Sequence, residues 1–295
     1  MTSLITPYCF SVFIINKDKV DAPYLLIKRA GEYLKGTWQM VTGGIDPFET
    51  AWEAAYREVF EETGLRPSKL YSADAIEIFY LKIKDKVAFV PVFVAYVEGN
   101  PCVQLSADEH DAFSWVSYEE ALERLVWSEQ KRILTHVHQQ FVLKKPHPLL
   151  EIQAPTSLVI ENYVPKNHLG PVLENLFSSC LGHSSKDRIQ QLLQHYACLQ
   201  DAKLWVGCVE KQIVACAGFN PQMSVLMHLA VDPSYRRKGI GRRMLNAIVE
   251  ELKPLKIQAE TDHEAIQFYR SCGFSIESLG DVYPHTMRYR CVKQL

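Results

Sequence analysis

The chain has no Cys-x-x-Cys pair, although it contains eight cysteines. That argues against a zinc ribbon or a thioredoxin-like motif, and scattered thiols fit a reducing, cytoplasmic location. No apolar run reaches the ~18 residues that a membrane span requires. The start, Met1-Thr2-Ser3-Leu4-Ile5-Thr6-Pro7, has neither a basic segment nor a long apolar one, so no secretory leader is expected. Neither sign of charge dominates. With 32 lysines and arginines against 34 aspartates and glutamates, the net charge of −2 removes any general attraction to nucleic acid or an anionic membrane. Internal repeats and low-complexity tracts are absent too. What remains is 295 residues, 47% hydrophobic, a globular composition whose length fits two domains of about 150 residues better than one.

Buried strands are expected at Tyr8–Ile15 and Tyr24–Arg29, with a short one at Trp38–Val41. Further strands are expected at Ile76–Ile83, Val87–Val97 and Phe113–Val116. Pro91 marks an edge or a bulge within the otherwise apolar Val87–Val97. Ser117-x-x-Glu120 reads as a capping box for a helix over Tyr118–Leu125, and a second helix runs from Ser128 to Phe141. Strands and helices interleaved in this way predict an α/β (α+β) layered domain over residues 1–145. Prolines 146, 148 and 155 predict an extended linker over 146–155, before a second domain at 156–295.

Within the first domain one helix is unusually acidic. From Glu49 to Glu62 it carries Glu49, Glu53, Glu58, Glu61 and Glu62 against the single base Arg57, and Gly64 closes it. Glu58, Glu61 and Glu62 stand at i, i+3 and i+4, on one face, where like charges repel. Either this is an acidic surface helix, or a hard divalent cation lies between the carboxylates. Together with Gly43, the spacing Gly43…Glu49…Arg57-Glu58-x-x-Glu61-Glu62-x-Gly64-Leu65 closely resembles the Nudix box, with every fixed position filled. The resemblance implies an α/β/α sandwich on a mixed sheet. It also implies Mg²⁺- or Mn²⁺-dependent hydrolysis of a nucleoside diphosphate linked to another group. In that reading Gly43, Glu58, Glu61 and Glu62 hold the metal, Glu58 alternatively orienting the attacking water, and Arg57 pairs with Glu49 or a neighbouring glutamate.

The second half is expected to open with a strand over Ser157–Asn162 and helices near Leu169–Cys180 and Lys186–His195. A hairpin, Lys203–Val209 with Gln212–Gly218, follows. The strand Val225–Val231 then runs into a basic loop, Arg236-Arg237-Lys238-Gly239-Ile240-Gly241-Arg242-Arg243, ahead of a helix over Gly241–Leu252. A glycine-bearing loop entering a helix presents amides and the positive dipole end to a phosphate, and Gly239 and Gly241 admit close approach. A basic surface turn is the plain alternative. It is neither a Walker loop nor Gly-x-Gly-x-x-Gly, and it lacks the interleaved aromatics of a nucleic-acid patch. Taken from Leu229 to Gly241, the stretch closely resembles the acyl-CoA loop of the GNAT N-acetyltransferases, and Ala265–Phe274 is similar to that family's later helix and strand. The resemblance implies a mixed-sheet acyl-CoA fold. Acetyl-CoA would be held by Leu229, Val231, Arg236, Arg237, Lys238, Gly239, Ile240, Gly241 and Arg242. Tyr269 would act as the acid that protonates the departing thiolate. His228 is a candidate base, with a structural histidine as the alternative.

Outside the box, Trp38-Gln39-x-Val41-Thr42-Gly43-Gly44, Glu109-His110, Trp115 and Trp127-Ser128 are similar to Nudix enzymes that cleave dihydroneopterin triphosphate and deoxynucleoside triphosphates. Glu109 is either an extra acidic group near the metal or a surface glutamate. Val87–Val97 lacks the carboxylate that such relatives often carry there. Tyr80 keeps dinucleoside polyphosphates open as substrates, ADP-ribose is a further option, and no signature of CoA-cleaving relatives precedes Gly43. The expectation is therefore a bifunctional enzyme, acting on a small nucleotide or pterin triphosphate and acetylating an amine, with no nucleic-acid or membrane partner. The alternative is that one domain is a nucleotide or acyl-CoA sensor regulating the other.

Overall fold

The computed structural model describes residues 5–32, 34–82, 85–106, 108–164, 171–180, 189, 191–192, 196, 202–283 and 286–295. The chain divides into two compact units, Met1–Asp46 with Thr50–Ala154, and Pro47–Glu49 with Pro155–Leu295. Both are α/β units built on a mixed sheet.

The first unit runs β1 (Cys9–Asn16), β2 (Tyr24–Arg29), β3 (Trp38–Gln39), β4 (Val41–Gly44), α1 (Ala51–Thr63), β5 (Lys69–Leu81) and β6 (Lys86–Val97). It continues with β7 (His110–Val116), α2 (Tyr118–Arg124), α3 (Ser128–Val137) and β8 (Glu151–Ile152). The strand order is β3-β2-β1-β6-β5-β8, with β4 beside β1 and β7 beside β2. Only the β1–β6 pairing among these is parallel. Strand alternation sends Phe10, Val12 and Ile14 into a layer with Ala54, Ala55 and Val59 of α1. Phe13 and Ile15 enter the opposite layer with Ile133, Leu134 and Val137 of α3. Burying each such large side chain contributes about 1.5–3 kcal/mol, against about 1 kcal/mol for a helix cap. Packing on β1 therefore sets where the helices lie, and caps only trim their ends.

Four expectations change. The strand expected at Trp38–Val41 is two, because the chain passes from pairing with β2 to pairing with β1 at the buried Met40. Strand β6 is central over Val92–Val97, where it pairs with β1 and β5, and pairs with β5 alone before that. Pro91 lies at this boundary, opposite the register shift between Ser72 and Ile76, so its missing N–H costs no regular ladder bond. The Ser117 hydroxyl does accept from Glu120 N (3.2 Å), but the Glu120 carboxylate binds Arg124, so only half of the capping box forms. Within the expected linker, Pro148–Leu150 form a 3-10 turn and β8 pairs with Leu70 and Tyr71. Lys69 Nζ lies 2.9 Å from both Glu151 carboxylate oxygens, holding that edge strand down.

The second unit contains β9 (Val159–Asn162), α4 (Pro171–Cys180), β10 (Lys203–Val209), β11 (Gln212–Asn220) and β12 (Val225–Val231). Then come α5 (Ile240–Leu252), β13 (Lys256–Thr261), α6 (Ile266–Ser271), β14 (Ser275–Tyr283) and β15 (Thr286–Gln294). Its sheet order is β14-β15-β13-β12-β11-β10-β9. Glu210 (φ 49°) and Lys211 (φ 67°) form the doubly left-handed turn that a two-residue hairpin needs between β10 and β11. The α5 stripe Ile240, Met244, Leu245 and Ile248 is buried on the sheet. The helix expected at Lys186–His195 falls largely outside the described residues. Strands β13 and β15 were not anticipated. Among the described residues no helix is long and apolar enough to cross a membrane, and the seven described cysteines are free thiols.

One buried acid makes the first unit pH-sensitive. Glu77, opposite Val90, is 3% exposed, and its Oε1 has no hydrogen-bond partner. Burial raises its pKa to about 7, against the lowering bond from Ser11. Since the unfolded carboxyl titrates near 4.5, the native state holds an extra proton between these values. Stability is then full below about pH 4.5 and falls as pH rises through 7. Urea unfolding at pH 5 and pH 8 should differ through this group by up to roughly 3 kcal/mol, at 1.36 kcal/mol per pH unit. Glu77→Gln should remove that difference; an unaltered pH dependence would mean the carboxyl is ionised where it stands.

Candidate functional site

Helix α1 begins at Ala51 because Thr50 and Glu53 cap it reciprocally. The Thr50 hydroxyl accepts from Glu53 N, and the Glu53 carboxylate accepts from Thr50 N at 2.9 Å. Glu49 thus precedes the helix and Glu53 is a buried cap, which leaves Glu58, Glu61 and Glu62 as the acidic face. Gly64, at φ 69°, ends the helix with its N–H on Phe60 O. Ala55, Val59 and Glu62 stand at i, i+4 and i+7 on one stripe, so packing the apolar residues carries Glu62 inward to 3% exposure.

The remaining box residues close around that face. Arg57 donates to Glu58 Oε1 at 2.8 Å, to Glu61 Oε2 at 3.0 Å and to the Gly44 carbonyl at 3.2 Å, and pairs with Asp46 at 3.6 Å. Half-exposed pairs of this kind contribute about 0–1 kcal/mol each, so their effect is orientation more than stability. Glu61 is exposed toward Arg57, whereas Glu58 is half-buried. A Cβ on Gly43 would stand 2.6 Å from Glu58 Cδ, so the glycine leaves the space that this carboxylate fills.

A second segment meets the end of α1. Gln104 N donates to Thr63 O (2.8 Å) and Ser106 N to Glu62 O (3.3 Å), using carbonyls that the helix leaves unpaired. The chain then turns through Ser106 O, which accepts from Glu109 N and His110 N, and enters β7. This brings the Glu109 carboxylate and the His110 ring to Glu62, with one ligand atom from each lying within 4.8 Å of the others. Glu109 is exposed, but it adjoins the acidic helix rather than standing apart as a surface glutamate.

Burial raises the Glu62 pKa to about 9, and Glu58 and Glu109 add to the rise. Glu58 is also raised by burial, against the lowering bond from Arg57. Burial lowers His110 and so keeps the ring neutral. Glu62 Oε2 and both His110 nitrogens are buried without a hydrogen-bond partner. A buried acceptor left so is costly, and a divalent cation would resolve it. The residues present therefore fit such an ion. In the sequence His110 stands out only within the short Glu109-His110 match; its further signal is a polar residue at an inward strand position.

In the second unit, β12 and β13 pair only at Val225–Gln258 and Leu226–Ala259. Beyond Leu226 no β13 pairing faces β12, so the stretch Met227–Val231, including Leu229 and Val231, offers main-chain groups there. The chain next turns through Pro233–Tyr235, with Arg236 Nε on Val231 O at 3.0 Å. Arg237 (φ 59°) and Gly239 (φ 77°) take left-handed conformations, and Gly239 caps α5 without a side-chain bond to its first amides. Arg236, Arg237 and Lys238 are exposed, with Lys238 over the Tyr235 ring. Those amides and cations suit a pyrophosphate. Ile240, by contrast, is core, and Arg242 leans toward Ser271 at the end of α6. Gly241 is explained differently from expectation: its open side is filled by the Phe268 ring, 3.1 Å from a Cβ placed there.

Tyr269 is 7% exposed between Phe268 and Phe274, and burial raises its pKa, which keeps the phenol protonated. The His228 Nδ1 is 2.8 Å from the Tyr196 hydroxyl, and the ring meets Phe177 edge-on. Gly218 makes room for that pair, since a Cβ there would overlap the Tyr196 hydroxyl.

The first unit is an α/β/α sandwich in which carboxylates of α1 gather beside Glu109 and His110, and the second is a mixed sheet that opens beside a basic helix N-terminus. The chain belongs to the Nudix family. The model described as a NUDIX domain matches residues 6–137, and that of the acetyltransferase (GNAT) domain matches residues 200–276. An RNA pyrophosphohydrolase of Bartonella quintana (strain Toulouse) is 30% identical over 158 residues, covering 46% of this chain and 90% of its own. The asymmetrical bis(5'-nucleosyl)-tetraphosphatase of Mus musculus is 34% identical over 105 residues, covering 35% and 70%. An octanoyltransferase of Myxococcus xanthus is 37% identical over 117 residues, 39% of this chain. The chain spans only 32% of that last relative's length, and about a third of several other curated relatives it matches.

The contact between Gly43 and Glu58 yields a separable prediction. Because the obstructing atoms belong to a flexible side chain, Gly43→Ala should displace the Glu58 carboxylate and leave the fold intact. Titration with Mn²⁺ should then show affinity weakened about tenfold, or 1.4 kcal/mol, with an unchanged thermal transition for the metal-free protein. Unaltered affinity would place Glu58 outside the cation site.

Proposed function

We propose that the first unit hydrolyses a phosphoanhydride bond of a nucleoside or pterin polyphosphate, releasing pyrophosphate or a shorter phosphate chain. The observation that carries this reading is the unpartnered, buried Glu62 oxygen flanked by Glu58 and Glu109. Glu58, Glu62 and Glu109 would hold Mg²⁺ or Mn²⁺, with Glu61 and the Gly43 carbonyl as outer candidates. Such an ion polarises phosphoryl oxygens, acidifies water and clamps the leaving phosphate. The chain's own residues do the rest. Arg57 holds Glu58 and Glu61 in register, and Glu58, whose pKa is raised, is suited to take a proton from an attacking water. The names of the relatives, an RNA pyrophosphohydrolase and an asymmetrical bis(5'-nucleosyl)-tetraphosphatase, support a nucleoside polyphosphate. Tyr80, exposed on the β5–β6 hairpin and bonded to Asp85 at 2.8 Å, is available to a substrate base.

For the second unit we propose acetyl transfer from acetyl-CoA to an amine. The open edge of β12 leading into the Gly239 loop supports it. The amides from Arg237 to Gly241 would hold the pyrophosphate, and Leu229 and Val231 would bind the pantetheine amides. Tyr269 would protonate the leaving thiolate. His228, whose Nδ1 meets the Tyr196 hydroxyl, would serve as the base.

Phosphate, pyrophosphate and nucleotide products should be followed with Mg²⁺ over deoxynucleoside triphosphates, dihydroneopterin triphosphate, dinucleoside tetraphosphate, triphosphorylated RNA and ADP-ribose. Glu62→Gln should abolish turnover, a loss of at least about a hundredfold, with the circular-dichroism spectrum retained. Tight binding of one substrate without turnover would make this unit a sensor instead. In the second unit, Tyr269→Phe should slow acetyl transfer about 10²- to 10⁴-fold; an unchanged rate would exclude Tyr269 as the acid.

A further inference from the structure

We infer that Glu62, Glu109 and His110 form a cation site with a nitrogen donor, which takes Mn²⁺, Co²⁺ or Zn²⁺ in preference to Mg²⁺. This deepens the hydrolase reading and rests on the first unit binding a divalent ion at all. One atom from each of the three residues falls within 4.8 Å of the others. Ligands held about 2.0–2.2 Å from a common ion lie within that span of one another. The histidine supplies the independent observation. It is 4% exposed, yet neither ring nitrogen has a hydrogen-bond partner. Buried imidazoles ordinarily satisfy at least one nitrogen, so this ring is arranged for something the protein does not provide. Glu62 is likewise 3% exposed with Oε2 unpartnered, and it meets the same point from the helix side.

The backbone explains why the three groups converge. The hydrogen bond from Ser106 N to Glu62 O holds the approaching loop to α1, while Ala30 N on Glu109 O (2.8 Å) ties its other end to the β2 side. His110 itself pairs with Arg29 at the start of β7. Helix α1, the start of β7 and the turn tied between them therefore present the donors, and Glu61 is turned away toward Arg57. Mg²⁺ favours an all-oxygen octahedron, whereas imidazole suits the later transition ions, so the histidine biases the choice.

Pulsed electron paramagnetic resonance of the full chain loaded with Mn²⁺ tests this. The wild type should show ¹⁴N modulation from a directly bound ring nitrogen. Protein grown with ¹⁵N-histidine should convert it to the ¹⁵N pattern, which requires no variant to fold. His110→Gln should lose the modulation, weaken Mn²⁺ at least about tenfold, as outer-shell losses already do, and narrow the Mn²⁺-over-Mg²⁺ preference. Bound Mn²⁺ without ¹⁴N modulation in the wild type, or with modulation that survives in His110→Gln, would overturn the nitrogen site and leave the hydrolase reading standing. Failure to bind Mn²⁺ at all would overturn both.

Discussion

The first unit depends on a carboxyl group that its fold buries among other glutamates, with the Arg29 charge only partly opposing them. Glu62 continues the apolar stripe of α1, so the packing that holds the helix to the sheet also removes Glu62 from water. Burial, with Glu58 and Glu109 nearby, raises its pKa to about 9. Arg57, the base within the box, is spent on Glu58, Glu61 and Gly44. Desolvation consequently dominates at Glu62, and the site favours whatever positive charge can enter it. Function here is a local destabilisation carried by a large hydrophobic core.

The second unit achieves its opening through backbone rather than charge. Two parallel strands that pair for two residues and then separate leave β12 with main-chain groups facing an opening. The turn beyond it places Arg237 and Gly239 in left-handed conformations, which brings the first amides of α5 forward uncapped. Gly241 contributes by letting α5 and Phe268 of α6 approach, so two nearby glycines act by different means. One relieves a backbone conformation, and the other relieves a side-chain clash.

The first unit also shows how polar residues become informative once strand faces are known. Ser11 and Glu77 meet on one face of the first sheet, while Phe10 and Val12 enter the other layer. His110 takes an inward position where an apolar residue would be ordinary. A one-residue error in register would turn each of these side chains to solvent.

Much was legible in the residues alone. The box spacing, the closing Gly64, the central strands and the loop before α5 follow from periodicity and from glycine placement, which are local properties. Helix and strand ends were less legible, since Thr50 with Glu53 moves the start of α1 past Glu49, and β8 forms only because β5 offers an edge. The sequence by itself determined the chemical inventory: carboxylates at i, i+3 and i+4, and a glycine-bearing basic loop before a helix. Tertiary structure decided which members act together. Glu62 and His110 are 48 positions apart and meet because the last carbonyls of α1 bind the Gln104–Ser106 backbone. Local spacing cannot encode such a meeting, because it is made by backbone hydrogen bonds between segments that become neighbours only on folding.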